Sequence, residues 1–89
     1  MYFLFMTGSK KHFEKKIEKL GFEKVYESDL YVEFERYIKE YNYTQVLAFL
    51  HKATGNHLIQ SFEKGTDDAV GISFKEMEIC LQYAKKLGW

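Results

Sequence analysis

Residues 44–63, Thr44-Gln45-Val46-Leu47-Ala48-Phe49-Leu50-His51-Lys52-Ala53-Thr54-Gly55-Asn56-His57-Leu58-Ile59-Gln60-Ser61-Phe62-Glu63, decide the fold. In the first half Val46, Ala48 and Leu50 alternate with Leu47 and Phe49, so a strand here is apolar on both faces, as a central strand covered on both sides must be. Ala53-Thr54-Gly55-Asn56 supplies the glycine and asparagine that a tight reversal requires. The chain then returns through Leu58, Ile59 and Phe62. The unit is a hairpin, and a register centred on Thr54 sets His51 opposite His57.

Working outward, Tyr31 to Lys39 alternates plainly, with Val32, Phe34 and Ile38 on one side and Tyr31, Glu33, Glu35 and Tyr37 on the other. Phe22 to Glu27 reads as a short strand turned by Ser28-Asp29. Beyond the turn Lys64-Gly65-Thr66-Asp67-Asp68, Ala69 to Ile72 reads as a last short strand. A helix flanks the strands on each side in sequence. Ser9 caps a helix running to about Leu20, with Phe13, Ile17 and Leu20 on one face and Lys11, Lys15, Lys16 and Lys19 opposite. Ser73 and Glu76 have the spacing of a capping box, and the helix they open presents Phe74, Met77, Cys80, Leu81, Ala84 and Leu87 as its main stripe, leaving Ile79 and Tyr83 off it. Both helices finish on one signal, Lys19-Leu20-Gly21-Phe22 and Lys86-Leu87-Gly88-Trp89, where glycine takes the left-handed closing position and the aromatic folds back. The expected architecture is one α+β domain over residues 1–89 in two layers. An antiparallel sheet of four or five strands carries both helices on one face, in the order α-β-β-β-β-α. Met1-Tyr2-Phe3-Leu4-Phe5-Met6 reads as an added edge strand, and Met6 reads equally as an original start.

Eighty-nine residues suffice for a single core, and 46% hydrophobic content excludes a disordered chain. Thirteen basic and thirteen acidic side chains cancel, which removes any global drive toward nucleic acid or an anionic membrane. A lone cysteine, Cys80, excludes an internal disulfide and suits a reducing cytoplasm. The apolar opening is too short to span a bilayer and lacks the basic region of a signal peptide, so no membrane or export role is expected.

The residues that carry chemistry give little support to an enzyme. Cys80 sits on an apolar stripe instead of an electropositive pocket. Glu33 and Glu35 share an exposed strand face where alternating charges are ordinarily solvated. His51 and His57 could share a metal, yet zinc sites normally take further protein ligands, so polar strand-end histidines are the reading, with no metal or cofactor. Gly8, Ser9, Lys10 and Lys11 at the start of the first helix form a candidate anion site for a phosphorylated ligand or nucleic acid, because unpaired backbone donors and the helix dipole favour negative charge there. The glycine and lysine order is not that of a P-loop.

Tyrosine points elsewhere. Tyr31, Tyr37, Tyr41 and Tyr43 gather amphipathic rings near one side of the sheet, bordered by Glu33 and Glu35; such rings either anchor an interface or simply cover the sheet edge, and both readings stand. Acidic neighbours would repel phosphate, which argues against an RNA-stacking platform. The expected function is therefore non-enzymatic binding of a protein partner. Self-association as a homodimer is also expected, from the doubly apolar strand and from Ile79 and Tyr83.

The helix-sheet-helix order resembles the double-stranded RNA-binding domain, but Phe74-Lys75-Glu76-Met77-Glu78 stands where that family places a basic Lys-Lys pair, which excludes it. Phe13-Glu14-Lys15-Lys16-Ile17-Glu18-Lys19-Leu20-Gly21-Phe22, the tyrosine-rich strands, Ile72-Ser73-Phe74-Lys75-Glu76 and the closing Leu87-Gly88-Trp89 together resemble small proteins carried by phages and prophages of low-GC Gram-positive bacteria. The resemblance is one of layout over about residues 9–89. It implies an accessory factor that binds a host or phage component, and it assigns no functional residue.

Overall fold

A computed structural model describes residues 9–52 and 54–89. The expected edge strand over residues 1–6, Gly8 of the expected anion site and Ala53 of the hairpin turn lie outside the described residues. The described order is α1 (Lys10–Lys19), β1 (Glu23–Glu27), β2 (Tyr31–Ile38), β3 (Tyr43–His51), β4 (His57–Glu63) and α2 (Phe74–Lys85). The four strands form one antiparallel sheet in sequence order. β3 is central, and Val46, Leu47, Ala48 and Phe49 are all buried, so its apolar residues are accommodated on both faces.

Both helices lie on the face formed by Val32, Phe34, Leu47 and Phe49. Ile17 of α1 and Cys80 and Tyr83 of α2 complete this core, with Phe22 entering from the loop after α1. Phe34, Phe49 and Tyr83 meet edge to face, with ring centroids 5.0–5.9 Å apart, the arrangement that aromatic quadrupoles favour. The first helix stop is formed as expected, with Gly21 directly after the C-cap Leu20, whereas α2 caps at Lys86, two residues ahead of Gly88. Gly21 and Gly88 have φ of +100° and +78°, and the aromatic after each, Phe22 and Trp89, packs back on the core. The capping box of Ser73 and Glu76 is complete.

Two expectations are corrected. Ala69 to Ile72 is not a strand: a turn through Asp67, in the left-handed region with φ 63°, brings only Ala69 and Val70 alongside β4. A single bridge from Ala69 to Phe62 and a Val70 N–H donation of 3.0 Å to the Ser61 carbonyl hold them there. The second correction is the rotation of α2. Phe74 is 96% exposed and Leu81 is exposed, whereas Tyr83 is fully buried. Periodicity assigned the face by hydrophobicity alone, but Tyr83 buries its ring because its hydroxyl finds Glu14 on α1 at 3.2 Å.

Candidate functional site

Strand parity divides the sheet into two chemical faces. On the helix-covered side, Arg36 pairs in register with Gln45, between Phe34–Leu47 and Ile38–Tyr43. The Arg36 guanidinium donates to the Leu20 carbonyl at 2.8 Å, to Glu76 Oε2 at 3.0 Å and to Gln45 Oε1 at 2.8 and 3.2 Å. It also lies over the Phe22 ring, 4.2 Å from its centroid. Gln45 passes the chain on, its amide donating 2.8 Å to Ser61 Oγ. One arginine thus satisfies the carbonyl end of α1, the first turn of α2 and a buried glutamine in the sheet. Burial alone would raise the Glu76 carboxyl, but the Arg36 guanidinium and the Ser73 amide hold it below its ordinary value. This network ties both helices to the sheet.

The other face carries most of the expected interaction residues. Tyr31, Glu33, Glu35 and Tyr37 alternate along β2 on the side away from the helices, with Val46, Ala48 and Leu50 beside them on β3 and Leu58, Gln60 and Phe62 on β4. Tyr26 of β1 joins them opposite Glu33, its ring 5.9 Å from that of Tyr31. Val46 and Ala48 are 2% and 0% exposed within the single chain. The solvent-reaching apolar groups of this face are Tyr26, Tyr37 and Leu58, with Tyr37 59% exposed. Tyr31 is more fixed. Its hydroxyl donates to Glu33, and burial followed by that carboxylate pushes its ionisation above the ordinary tyrosine value. Tyr37 donates to Asn42 Oδ1, which sits at φ 54° in the turn that closes the β2–β3 hairpin. Tyr41, in that same turn, is 79% exposed.

Three carboxylates share the face. Glu23 lies directly opposite Glu35 across β1–β2, with Glu33 two residues along, and Lys64 offsets only part of this charge through its 3.0 Å pair with Glu35. Like charges set opposite in a ladder cost stability unless something compensates them. Tyr43 does not join the group. It pairs with Ile38 and has the parity of Gln45 and Leu47, which puts it on the helix-covered side.

The residues behind the expected homodimer are also placed. Val46, Ala48 and Tyr83 are buried within one chain, whereas Leu50 on the outer sheet face and Ile79 on α2 are only half-buried.

The start of α1 is occupied by ion pairs. Ser9 Oγ accepts the His12 N–H at 3.0 Å. Lys10 pairs with Glu27, and Lys24 bridges Glu27 at 2.6 Å and Glu14 at 3.1 Å. The Lys10 and then the Lys24 ammonium hold the Glu27 carboxyl below its ordinary value. Lys10 therefore answers a carboxylate of its own chain, that of Glu27. Cys80 is buried, and desolvation, then the nearby Glu76 charge, pushes its thiol up to about 11, away from a nucleophile.

His51 and His57 are opposite each other, as the hairpin register requires. Among the described residues no set of three or more His, Cys, Asp or Glu side chains is placed to hold a metal ion, and no helix is long and apolar enough to cross a membrane. The chain matches no protein-family model, no curated protein and no solved structure.

Sequence reasoning missed Arg36, Gln45 and Tyr26. The first two were detectable as polar residues at core parity on adjacent strands, a pattern that demands a partner. Tyr26 was masked by the bulge at Val25, which shifts parity within β1.

Proposed function

We propose that this chain is a non-enzymatic interaction module that binds a protein partner through the sheet face away from its helices. The observation that carries the reading is the concentration of Tyr26, Tyr31 and Tyr37 with Glu23, Glu33 and Glu35 on that face. The exposed Tyr41 turn extends it. Tyrosine buries large area at small entropy cost, so such rings make efficient anchors. The carboxylates select a partner with a basic patch, and they give the complex a salt-dependent association rate. The resemblance in layout to small phage and prophage proteins suggests an accessory factor acting on a host component. A buried, deactivated thiol and a polar network closed on itself fit a binding role better than a catalytic one.

The test is affinity capture from a lysate of the source cell, with and without nuclease, followed by mass spectrometry. Capture of one protein that survives nuclease and weakens with salt supports the proposal. Capture that vanishes with nuclease, or that persists when Tyr26, Tyr31 and Tyr37 are replaced, contradicts it.

A further inference from the structure

At the far end of the helix-covered side, the hairpin brings two imidazoles into direct contact. His51 Nδ1 and His57 Nδ1 are 2.9 Å apart, with ring centroids at 4.6 Å and planes within 21°. Two bare nitrogen lone pairs would repel at that distance, so one ring donates its Nδ1–H to the other. Trp89 closes over both rings, its centroid 5.4 Å from His51 and 6.2 Å from His57. The register of β3 and β4 fixes the pair, and the helix stop that turns Trp89 back fixes the third ring.

We infer that His51 and His57 form a bidentate site for a late first-row transition metal, Cu(II) above all, held through their two Nδ1 atoms. Metal–imidazole bonds of about 2.0 Å enclosing a right angle span about 2.8 Å, close to the separation present, whereas a tetrahedral angle needs about 3.3 Å. The pair is thus set for two adjacent positions of a tetragonal ion, the geometry of Cu(II) and Ni(II), and imidazole is a ligand both accept. Hard cations such as Mg²⁺ and Ca²⁺ take oxygen ligands and are excluded. On binding, the ion takes the place of the shared proton, which moves through water to Nε2 of the same ring. Both imidazoles then ligate in neutral form with no net proton released. With no further His, Cys, Asp or Glu to complete a set among the described residues, the remaining positions fall to water or to a donor from outside. Lys85 lines the groove beside His57 and Trp89, and its charge keeps cation affinity moderate.

Trp89 is the only tryptophan of the chain and reports directly on the site, because a bound Cu(II) quenches a neighbouring indole. Titration of the full chain with CuCl2, NiCl2 and ZnCl2 should quench Trp89 emission at one Cu(II) per chain, with affinity falling from Cu(II) to Ni(II) and Zn(II). His51→Gln and His57→Gln should each weaken Cu(II) binding by about tenfold or more, while His12→Gln leaves it unchanged. Electron paramagnetic resonance of the copper-loaded wild type, which needs no variant to fold, should show two equatorial nitrogen ligands. Quenching at equal affinity in either site variant, fewer than two nitrogen ligands, or Zn(II) held more tightly than Cu(II) overturns the assignment.

Discussion

Replacing Arg36 by methionine removes one side chain from four partners at once and so tests the account of how the two layers are joined. Methionine fills most of the volume, so the loss is chiefly polar. Gln45 is almost fully buried, and without Arg36 its Oε1 loses both donors; an unsatisfied buried acceptor costs about 1–3 kcal/mol. The Leu20 carbonyl loses its donor as well, and the partly exposed pair with Glu76 contributes about 1 kcal/mol or less. Together the expected destabilisation is about 3 kcal/mol, which lowers Tm by roughly 15 °C for a domain of this size. Urea unfolding followed by circular dichroism reads it. A second substitution sharpens the test, because in Arg36→Met/Gln45→Leu the stranded acceptor is gone, and about 1 kcal/mol or more should return. If Arg36→Met costs under about 1 kcal/mol, or if the double variant is no more stable than the single one, the guanidinium is not what satisfies Gln45 and the reasoning fails.

Other consequences can be measured on the same material. Gly21→Val places a β-branched residue at φ +100° with its Cβ 3.2 Å from Arg36 Cδ, so it should destabilise by on the order of 1 kcal/mol or more, whereas Gly88→Val, with open space around its Cβ, should cost less; equal thermal midpoints for Gly21→Val and wild type would refute the helix-stop reading. Glu76 and Glu27 are held below their ordinary value of 4.5, so the stability they contribute is present above that value and is lost as pH falls through their lower folded values. Glu76→Gln, which keeps an amide at the capping position, should flatten the acid limb of the stability profile; an unchanged slope would remove the Arg36–Glu76 pair from the explanation. Cys80 should resist a thiol-reactive disulfide reagent at pH 8 until the chain is unfolded, and rapid labelling of folded protein would contradict its burial.

What the sequence made legible were features that act over a few residues. The first helix stop, the capping box, the alternation of β2 and the turn chemistry at Gly55 are local, and from the turn alone the His51–His57 pairing follows correctly. What stayed hidden depends on partners distant in sequence. The rotation of α2 is decided by Tyr83 meeting Glu14 across the helical layer, and hydrophobic periodicity places Phe74 and Leu81 inside because it cannot see that contact. Arg36 faces the core because Gln45, Leu20 and Glu76 await it there, three partners from three other segments. Of the expected surface, β2 parity correctly groups Tyr31, Glu33, Glu35 and Tyr37. Tyr43 falls on the opposite side because β3 begins at that residue instead of after it.

The central claim is that the tyrosine and glutamate face binds a protein, and the most direct measurement is the affinity of the captured partner for wild type and for Tyr37→Ala/Tyr41→Ala. Both rings are largely exposed, so the double variant should keep the wild-type circular dichroism spectrum and nearly its stability. Truncating two interface anchors should weaken binding by about tenfold or more. A folded double variant that binds its partner with unchanged affinity would contradict the claim.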